Sequence, residues 1–374
     1  MNDKTKLRKL EHIEIVLKEK VEPKQTTLLE EVSLIHNSAP NLDYKEIDTS
    51  IEFLRKRITA PILITGMTGG HPEAAKINEA LAEVAEEIGI PIGVGSQRAA
   101  IEDPDLEYTF SIVREKAPSI PVIANIGAAQ LVKGYGVKEL IKAISMVKAD
   151  AIAIHLNPAQ EVFQPEGDKD FKNIIDIVAS LIDELPVPII IKETGTGLSG
   201  KVARAFAEIG VEYFDIAGLG GTNWVLVESY RLKNEQLKQI AQEFGEWGIP
   251  TSISIIDVFY NVPNAIIIAS GGIRSGLDIA KAIALGADIA GIAAPALKKL
   301  LMHGKEGLKN YILRLVNELK IALFLTSSSK PQDLWEKDII LGLSILKWLK
   351  SLDIELNEYL RLRKLKKTLN NTTL

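Results

Sequence analysis

Apolar positions along this chain follow two alternating rhythms. Short unbroken apolar runs occur at Pro61–Thr65, Pro91–Gly95, Pro121–Asn125, Ala151–His155, Pro188–Lys192, Tyr213–Ala217, Ala265–Ala269 and Asp288–Ala293. Runs of this length suit strands buried on both faces. Between them, apolar residues recur every three or four positions. Ile77, Leu81, Val84, Ala85 and Ile88 form one such set, Leu140–Val147 holds another, and Leu277, Ala280, Ile283 and Ala284 form a third. That spacing predicts helices with one buried face. Strand–helix alternation, repeated eight times at mostly about 30 residues per unit, predicts an α/β protein: a closed (β/α)8 TIM barrel, with an open doubly wound sheet as the second choice. The expected layout is an N-terminal extension over 1–60, the barrel over 61–300 and a C-terminal helical region over 301–374. Within the last part, Leu301–Leu325 and Leu334–Leu365 read as helical, and the basic run Arg361–Lys367 reads as a solvated helix end.

In such a barrel the C-terminal ends of the strands gather at one mouth, whatever their separation in sequence. The polar residues there form one list. The first strand runs into Thr65-Gly66-Met67-Thr68-Gly69-Gly70, the second into Ser96-Gln97-Arg98, and the third ends at Asn125. The fourth gives His155, followed by Gln160 and Glu161; the fifth ends at Lys192; the sixth leads to Gly220-Gly221-Thr222-Asn223. After the seventh strand, Ser270-Gly271-Gly272 turns sharply before Arg274, and the eighth runs into Ala293-Ala294-Pro295. A Gly-Gly turn lets backbone N–H groups approach an anion, and a helix starting near Leu277 would point its positive end at the same spot. This is a phosphate cup, of a kind that holds either a sugar phosphate or flavin mononucleotide (FMN). Lys192 continues an Ile-Ile-Ile run, so its desolvation calls for an anion or dipole nearby. Other residues keep two readings: Thr68 as turn chemistry, Asn125 and His155 as satisfied polar groups, Arg98 as a partner of Glu102 or Asp103, Glu161 as a surface carboxylate. Arg8, Lys9 and His12 form a basic cluster that is either a solvated tail or an arm closing over an anion.

Bulk properties narrow the field. The chain has 374 residues, 46% hydrophobic and 25% charged, as in a globular protein. A net charge of −5 gives no reason to expect a nucleic-acid partner. The absence of cysteine excludes disulfides and thiolate chemistry. No apolar run approaches a membrane span and the N-terminus lacks a signal-peptide core, so a cytoplasmic location is the expectation. The apolar helices after Leu301 suggest a homo-oligomer.

These residues resemble type 2 isopentenyl-diphosphate isomerases, the FMN-dependent form. The resemblance is carried by Arg8-Lys9-Leu10-Glu11-His12, Met67-Thr68-Gly69-Gly70, Val94-Gly95-Ser96-Gln97-Arg98, the stretch HLNPAQEVFQPEGD from His155 to Asp168, Lys192-Glu193, Gly220-Gly221-Thr222-Asn223-Trp224 and the Gly271–Pro295 block. It implies conversion of isopentenyl to dimethylallyl diphosphate in isoprenoid biosynthesis, with reduced FMN as acid and base and no net redox. It implies FMN held by Thr65, Gly66, Met67, Thr68, Ser96, Asn125, Lys192, Thr222, Gly271, Gly272, Arg274, Ala293 and Ala294. Substrate would be held by Arg8, Lys9, Ser96, Gln97, Arg98, His155 and Gln160, and Mg2+ by Glu161. Lys192, His155, Gln160 and Glu228 would serve catalysis, NAD(P)H or another donor would reduce the flavin, and assembly as a tetramer or octamer is expected. For Glu228 a surface or helix-face role is the competing reading. Ala217 stands where similar chains often carry serine, which removes one hydroxyl from the phosphate site.

Three alternatives are weighed against this. Flavin α-hydroxy-acid oxidases share the barrel and cup but carry a His-Gly-Gly turn after the sixth strand, where this chain has Leu219-Gly220-Gly221. Inosine-monophosphate dehydrogenase uses a cysteine that is absent here. A non-catalytic phosphate-binding barrel would not require Lys192, Gln160 and Glu161 together.

Overall fold

The computed structural model describes residues 2–371, with side chains described for Lys9 and for 11–367. The side chain of Arg8, expected to hold substrate, lies outside the described residues. Eight parallel strands close into a barrel: β1 (Ile62–Ile64), β2 (Ile92–Gly93), β3 (Val122–Gly127), β4 (Ala151–His155), β5 (Ile189–Lys192), β6 (Tyr213–Asp215), β7 (Ile266–Ala269) and β8 (Ile289–Ile292). Each pairs with its successor, and β8 returns to β1. The expected strands are therefore the observed ones, trimmed at most ends and extended by two residues at Gly127.

The helices expected at Ile77–Ile88 and Leu140–Val147 begin earlier, at Pro72 and Val137. His71 caps the first of these, its ring accepting from Glu73 N–H, and Pro72 fits the first turn because its missing N–H would be unsatisfied there anyway. Barrel strands and outer helices meet in one large apolar core that includes Ile62, Ile64, Val122, Ile152 and Ile191. A second, smaller core fills the barrel's lower interior. There the hairpin formed by Ile51–Phe53 and Lys56–Ile58 puts Ile51, Phe53, Leu54 and Ile58 against Leu63, Ile123, Ala153, Ile190, Ile268 and Ile289. The N-terminal end is plugged by apolar side chains, leaving the opposite end for chemistry.

The C-terminal region departs from the expected pair of helices. The first helix starts at Ala294 and runs to Leu325 across a break at Gly304, whose φ is 67°. Leu334–Leu365 is not continuous: a 3-10 turn at Pro331–Glu336 leads to a strand, Ile339–Leu341, and helices follow at Leu343–Ser351 and Leu356–Asn371. The strand pairs antiparallel with Val32–Leu34, so the two terminal extensions share a small sheet. Ile339, Ile340 and Leu341 form an apolar run with no period of its own, so the pattern does not mark a strand there.

The basic run at 361–367 is not simply solvated. Arg363 and Lys366 are fully buried. Arg363 donates to the carbonyls of Ala284 and Leu334 at 2.8 and 3.1 Å. Lys366 Nζ donates to Gly286 O and to Asp288 Oδ2, each at 2.6 Å. The last helix is thus fastened under the barrel by cations that point inward, while Arg361, Lys364 and Leu365 keep the outward face.

Candidate functional site

Register builds the floor of the mouth. Gly127 on β3 pairs with His155 on β4, His155 with Lys192 on β5, and Lys192 with Asp215 on β6. Laterally paired residues of a parallel sheet point to the same face. The four positions therefore form one row around the barrel. Gly127 is needed in that row, since a Cβ there would come within 2.4 Å of Gln130 Oε1 and 2.9 Å of His155 Nε2.

Above the row lies a cavity lined by residues from all eight strand ends and from the N-terminal helix Asn2–Lys18. Every residue expected around the flavin lines it: Thr65, Gly66, Met67, Thr68, Ser96, Asn125, Lys192, Thr222, Gly271, Gly272, Arg274, Ala293 and Ala294. So do Lys9, Arg98, His155, Gln160 and Glu161.

Two expected residues do not reach the cavity. Gln97 is fully buried in the wall, where its Oε1 accepts from Asn125 N–H at 2.9 Å and its Nε2 donates to Ala143 O at 2.8 Å. It fixes the strand end that carries Asn125 and is not placed to hold substrate. Glu228 is also fully buried, neither on the surface nor on the cavity wall. Its Oε1 lies 2.9 Å from His12 Nε2 and accepts from Gln160 Nε2 at 3.0 Å, so it stands one layer behind two residues that do line the cavity.

The electrostatics of the row are specific. Lys192 Nζ is 2.7 Å from Asp215 Oδ2, and Ser270 Oγ donates to the other carboxylate oxygen. Asp215 is the anion that burial of Lys192 called for. Sequence reasoning passed over it because it sits inside the sixth apolar run, Tyr213–Ala217. His155 Nδ1 is 2.7 Å from Asn125 Oδ1. An amide oxygen only accepts, so Nδ1 carries the proton and Nε2 keeps its lone pair. Burial, with Lys9 and Lys192 nearby, lowers the His155 pKa to about 3, so the ring is neutral.

For Glu228, burial raises the pKa, but the hydrogen bonds and charge of His12, the Gln160 amide and the Arg231 guanidinium outweigh it and bring the carboxyl down to about 2. Glu161 is buried, accepting from Asn157 Nδ2 at 3.0 Å and from Asp168 N–H at 2.6 Å. Arg98 Nε pairs with Glu102 at 2.8 Å, as one reading had it, and its Nη1 lies 3.6 Å from Asp168, which also pairs with Lys133. Asn157 and Asp168, inside the quoted His155–Asp168 stretch, and Arg231, beyond the Gly220–Trp224 motif, are further polar residues that side-chain pairing brings into play.

The cup differs in one respect from its expected form. Gly271 and Gly272 have φ of 98° and 78°, and a Cβ on either would strike the carbonyl of Gly218 or Gly220. Those two Gly-rich turns pack against each other as backbone, which only glycine permits. The helix Gly276–Ala284, however, is capped by its own surroundings. Ser275 Oγ takes the N–H of Asp278, Asp278 takes those of Arg274 and Ser275, and Glu318 takes that of Gly276. Its positive end is already answered. The helix that begins at Ala294, directly on the cavity wall, has no side-chain cap. Of the two helix starts, the one after β8 is thus the one that lacks a side-chain cap.

Among the described residues no three His, Asp or Glu side chains cluster as a metal cage. None of the helices described is long and apolar enough to cross a membrane.

A family model described as FMN-dependent dehydrogenase matches residues 156–340, from the end of β4 into the C-terminal region. Solved structures of mandelate oxidase share the fold, one at TM-score 0.61 and 16% identity over 89% of this chain and 94% of that one. A lactate oxidase of Pediococcus acidilactici gives TM-score 0.63 at 14% identity over 86% of this chain and 88% of its own. Much nearer in sequence are proteins named isopentenyl-diphosphate delta-isomerase. That of Sulfurisphaera tokodaii is 51% identical, over 96% of this chain and 97% of its own length. That of Ignicoccus hospitalis is 50% identical over 90% and 94%, and that of Pyrococcus furiosus 44% identical over 96% and 92%. The chain belongs to the isopentenyl-diphosphate delta-isomerase family.

Proposed function

We propose that this protein converts isopentenyl diphosphate to dimethylallyl diphosphate for isoprenoid biosynthesis, with FMN in the barrel mouth and Mg2+ on the diphosphate. The observation that carries the reading is the convergence of every residue expected around the flavin on one cavity, beside Lys9, Arg98, His155, Gln160 and Glu161. Two features of that cavity fit a flavin. Thr68 Oγ1 is buried there without a hydrogen-bond partner. The Gly271-Gly272 backbone and the uncapped helix start at Ala294 face the same space, which suits a phosphate. Gly271, Gly272, Ala293 and Ala294 would hold that phosphate. Met67, Thr68, Asn125 and Lys192 would hold the ring.

When bound and reduced, FMN supplies the acid and base needed for protons on carbon, with no net redox. The chain's own residues do the rest. The Lys192–Asp215 pair is neutral overall, so Lys192 favours negative charge nearby without leaving a lone buried cation. His155 brings an uncharged ring to the wall. The charge that meets a diphosphate falls to Lys9 and Arg98, joined by Arg8. Glu161 offers Mg2+ one carboxylate, the substrate's oxygens supplying others, which is the usual magnesium arrangement. Met67 and Trp224 line the cavity as apolar walls for the five-carbon tail. The extension over 1–60 would close over the site through its first helix, whose Lys9, His12, Ile13 and Val16 already face the cavity. NAD(P)H would serve as reductant, and a cytoplasmic homo-oligomer, tetramer or octamer, is the expected form.

An α-hydroxy-acid oxidase reading is disfavoured by Leu219, which is apolar and buried where such an enzyme places its histidine base. The test is proton NMR of isopentenyl diphosphate incubated with the purified yellow protein, Mg2+ and dithionite under anaerobic conditions. The expected outcome is appearance of the two dimethylallyl methyl signals only after reduction. Equal turnover by oxidised or flavin-free protein would sink the proposal.

A further inference from the structure

Arg231 stands outside the cavity yet touches three separate parts of its surroundings. Its Nη1 pairs with Glu228 Oε2 at 2.6 Å, its Nε with Glu11 Oε2 at 2.9 Å, and its Nη2 with Glu166 Oε1 at 3.2 Å. Its side chain is only 11% exposed. Glu11 belongs to the N-terminal helix whose Lys9 and His12 line the cavity. Glu166 belongs to the turn whose Asp168 N–H closes on Glu161. Glu228 holds Gln160 and His12 from behind. One planar guanidinium thus binds three carboxylates from three chain segments, a task its fork of fixed donors suits and a single ammonium does not.

The remaining supports show that this contact is built. Gly167, next to Glu166, could not carry a Cβ, which would fall 2.0 Å from Glu161 O. The turn is therefore folded tightly onto the helix Pro158–Phe163 that bears Gln160 and Glu161. His12 meets the indole of Trp224 edge-on at 5.1 Å, so the N-terminal helix seats on the same short helix, Trp224–Ser229, that carries Glu228. Glu228 faces His12 from the N-terminal helix, Gln160 from Pro158–Phe163 and Arg231 from the turn after its own helix. The helix Glu235–Phe244 packs nearby through apolar Leu237 and Ala241.

We propose that Arg231 is a positioning residue: it ties the N-terminal helix and the 164–168 turn to the Glu228 carboxylate, and so sets the aim of Gln160 and His12. This rests on the function proposed above, in which Gln160 works at the substrate. An ionised Glu228 accepts from Gln160 and fixes which way its amide points. A protonated Glu228 becomes a donor on one oxygen and loosens that choice. Without the guanidinium, Glu228, Glu11 and Glu166 lose their shared cation and the first of them is left buried.

His12 and Gln160, with the Arg231 charge added to them, hold Glu228 ionised well below neutrality against its burial; removing Arg231 takes away one of those supports and raises the pKa, so activity dependent on the carboxylate is lost as pH falls through the new, higher value. The experiment compares Arg231→Met, Arg231→Lys, Glu166→Gln and Glu228→Gln as holoenzymes in kcat and KM across pH 5 to 9, a window bracketing about 7. Protonation of Glu228 is read separately by infrared difference spectra of the flavin-free proteins, and seating of residues 11–18 by hydrogen exchange. Arg231→Met is expected to show a new acid limb in kcat and a new protonated-carboxyl band that Glu228→Gln lacks. Arg231→Lys is expected to retain most of kcat but to raise KM several-fold, with faster exchange at 11–18, and Glu166→Gln to raise KM alone.

If Arg231→Met keeps the parent pH profile and spectrum, the proposal fails even where Glu228→Gln is inactive. If Glu228→Gln itself turns over normally, the role given to Gln160 and Glu228 falls, and this inference with it. Should Arg231→Met fail to fold, Arg231→Lys decides: an unchanged KM and unchanged exchange would overturn the link.

Discussion

Two lysine–aspartate pairs sit at opposite ends of one barrel, a half-buried Lys192 on a buried Asp215 and a fully buried Lys366 on a half-buried Asp288, and the contrast between them separates chemistry from architecture. At the mouth Lys192 meets Asp215 at 2.7 Å; beneath the barrel Lys366 meets Asp288 at 2.6 Å. The lower pair is closed on every side. Lys366 is fully buried and donates to the Gly286 carbonyl, with Ala265 O at 3.3 Å, and its ammonium lies 5.1 Å from the Trp335 ring and 5.4 Å from that of Phe259. Asp288 also accepts from Ile267 N–H at 2.7 Å. The upper pair is open. Lys192 lines a cavity that also holds Thr68 Oγ1 without a partner. The lower lysine has exhausted its donors on the protein; the upper one borders the cavity. Burial and pairing alone would not tell them apart, and what remains unsatisfied around each does.

The sharpest way to break the contrast is to remove the upper cation. Lys192→Ala leaves Asp215 as a buried anion without its cation, behind the cavity wall. Turnover is expected to fall on the order of 1,000-fold, with weaker flavin retention, because a preorganised charge at the reacting centre is lost. Thermal unfolding of the flavin-free protein should change little by comparison. Kinetics with added FMN, together with absorbance of the purified protein, check this, and near-normal kcat would put the upper pair in the same structural class as the lower.

Removing the lower cation should give the reverse pattern. Lys366→Met keeps length and apolar contact with Trp335 but removes the ammonium that Asp288 faces at 2.6 Å. A loss of about 3 kcal/mol in unfolding free energy is expected, as for other broken buried pairs. Activity per folded molecule should be unchanged, since Lys366 lies at the far end of the barrel. Denaturant titration and kcat at low temperature separate the two quantities. A fall in kcat without a loss of stability would mean that the C-terminal helix communicates with the mouth.

The same two ends show what was legible in the sequence. All eight strands could be read from apolar runs, because a barrel strand buried on both faces leaves no alternation to misread. The mouth could be read because Ser270-Gly271-Gly272, Lys192 and Asn125 are polar or small exactly where such runs stop. The lower end was not legible. Lys366 and Arg363 sit in a sequence of alternating basic and apolar residues that looks like any solvated helix. Only the open carbonyls of Ala284, Gly286 and Leu334, which no sequence pattern marks, draw those side chains inward. Gln97 and Glu228 were misplaced for a related reason. Gln97 lies between two cavity residues, Ser96 and Arg98, and Glu228 shares a short helix with Trp224; an element that turns one residue toward the cavity turns others into the wall. Asp215, by contrast, was hidden inside an apolar run and became visible only as the partner of Lys192.

The smallest expected effect tests the idea of unsatisfied valence itself. Thr68→Val replaces a hydroxyl by a methyl of nearly the same shape. Thr68 Oγ1 has no partner in the protein, so its loss breaks no internal hydrogen bond, and removing a buried unpaired polar atom is neutral or slightly stabilising. The flavin-free variant should therefore unfold at the same denaturant concentration or a little higher. The ligand-bound form should behave oppositely, with FMN affinity reduced by about 1 kcal/mol, roughly five-fold, if the hydroxyl is there to meet the cofactor. Measured together by unfolding with and without FMN, the two signs must differ. Destabilisation of both forms would show that Thr68 already has a structural partner and that the open character of the upper end has been overestimated at this position. A gain in the free protein that disappears on adding FMN would place the vacancy on the flavin and leave Lys192 as the cation beside it.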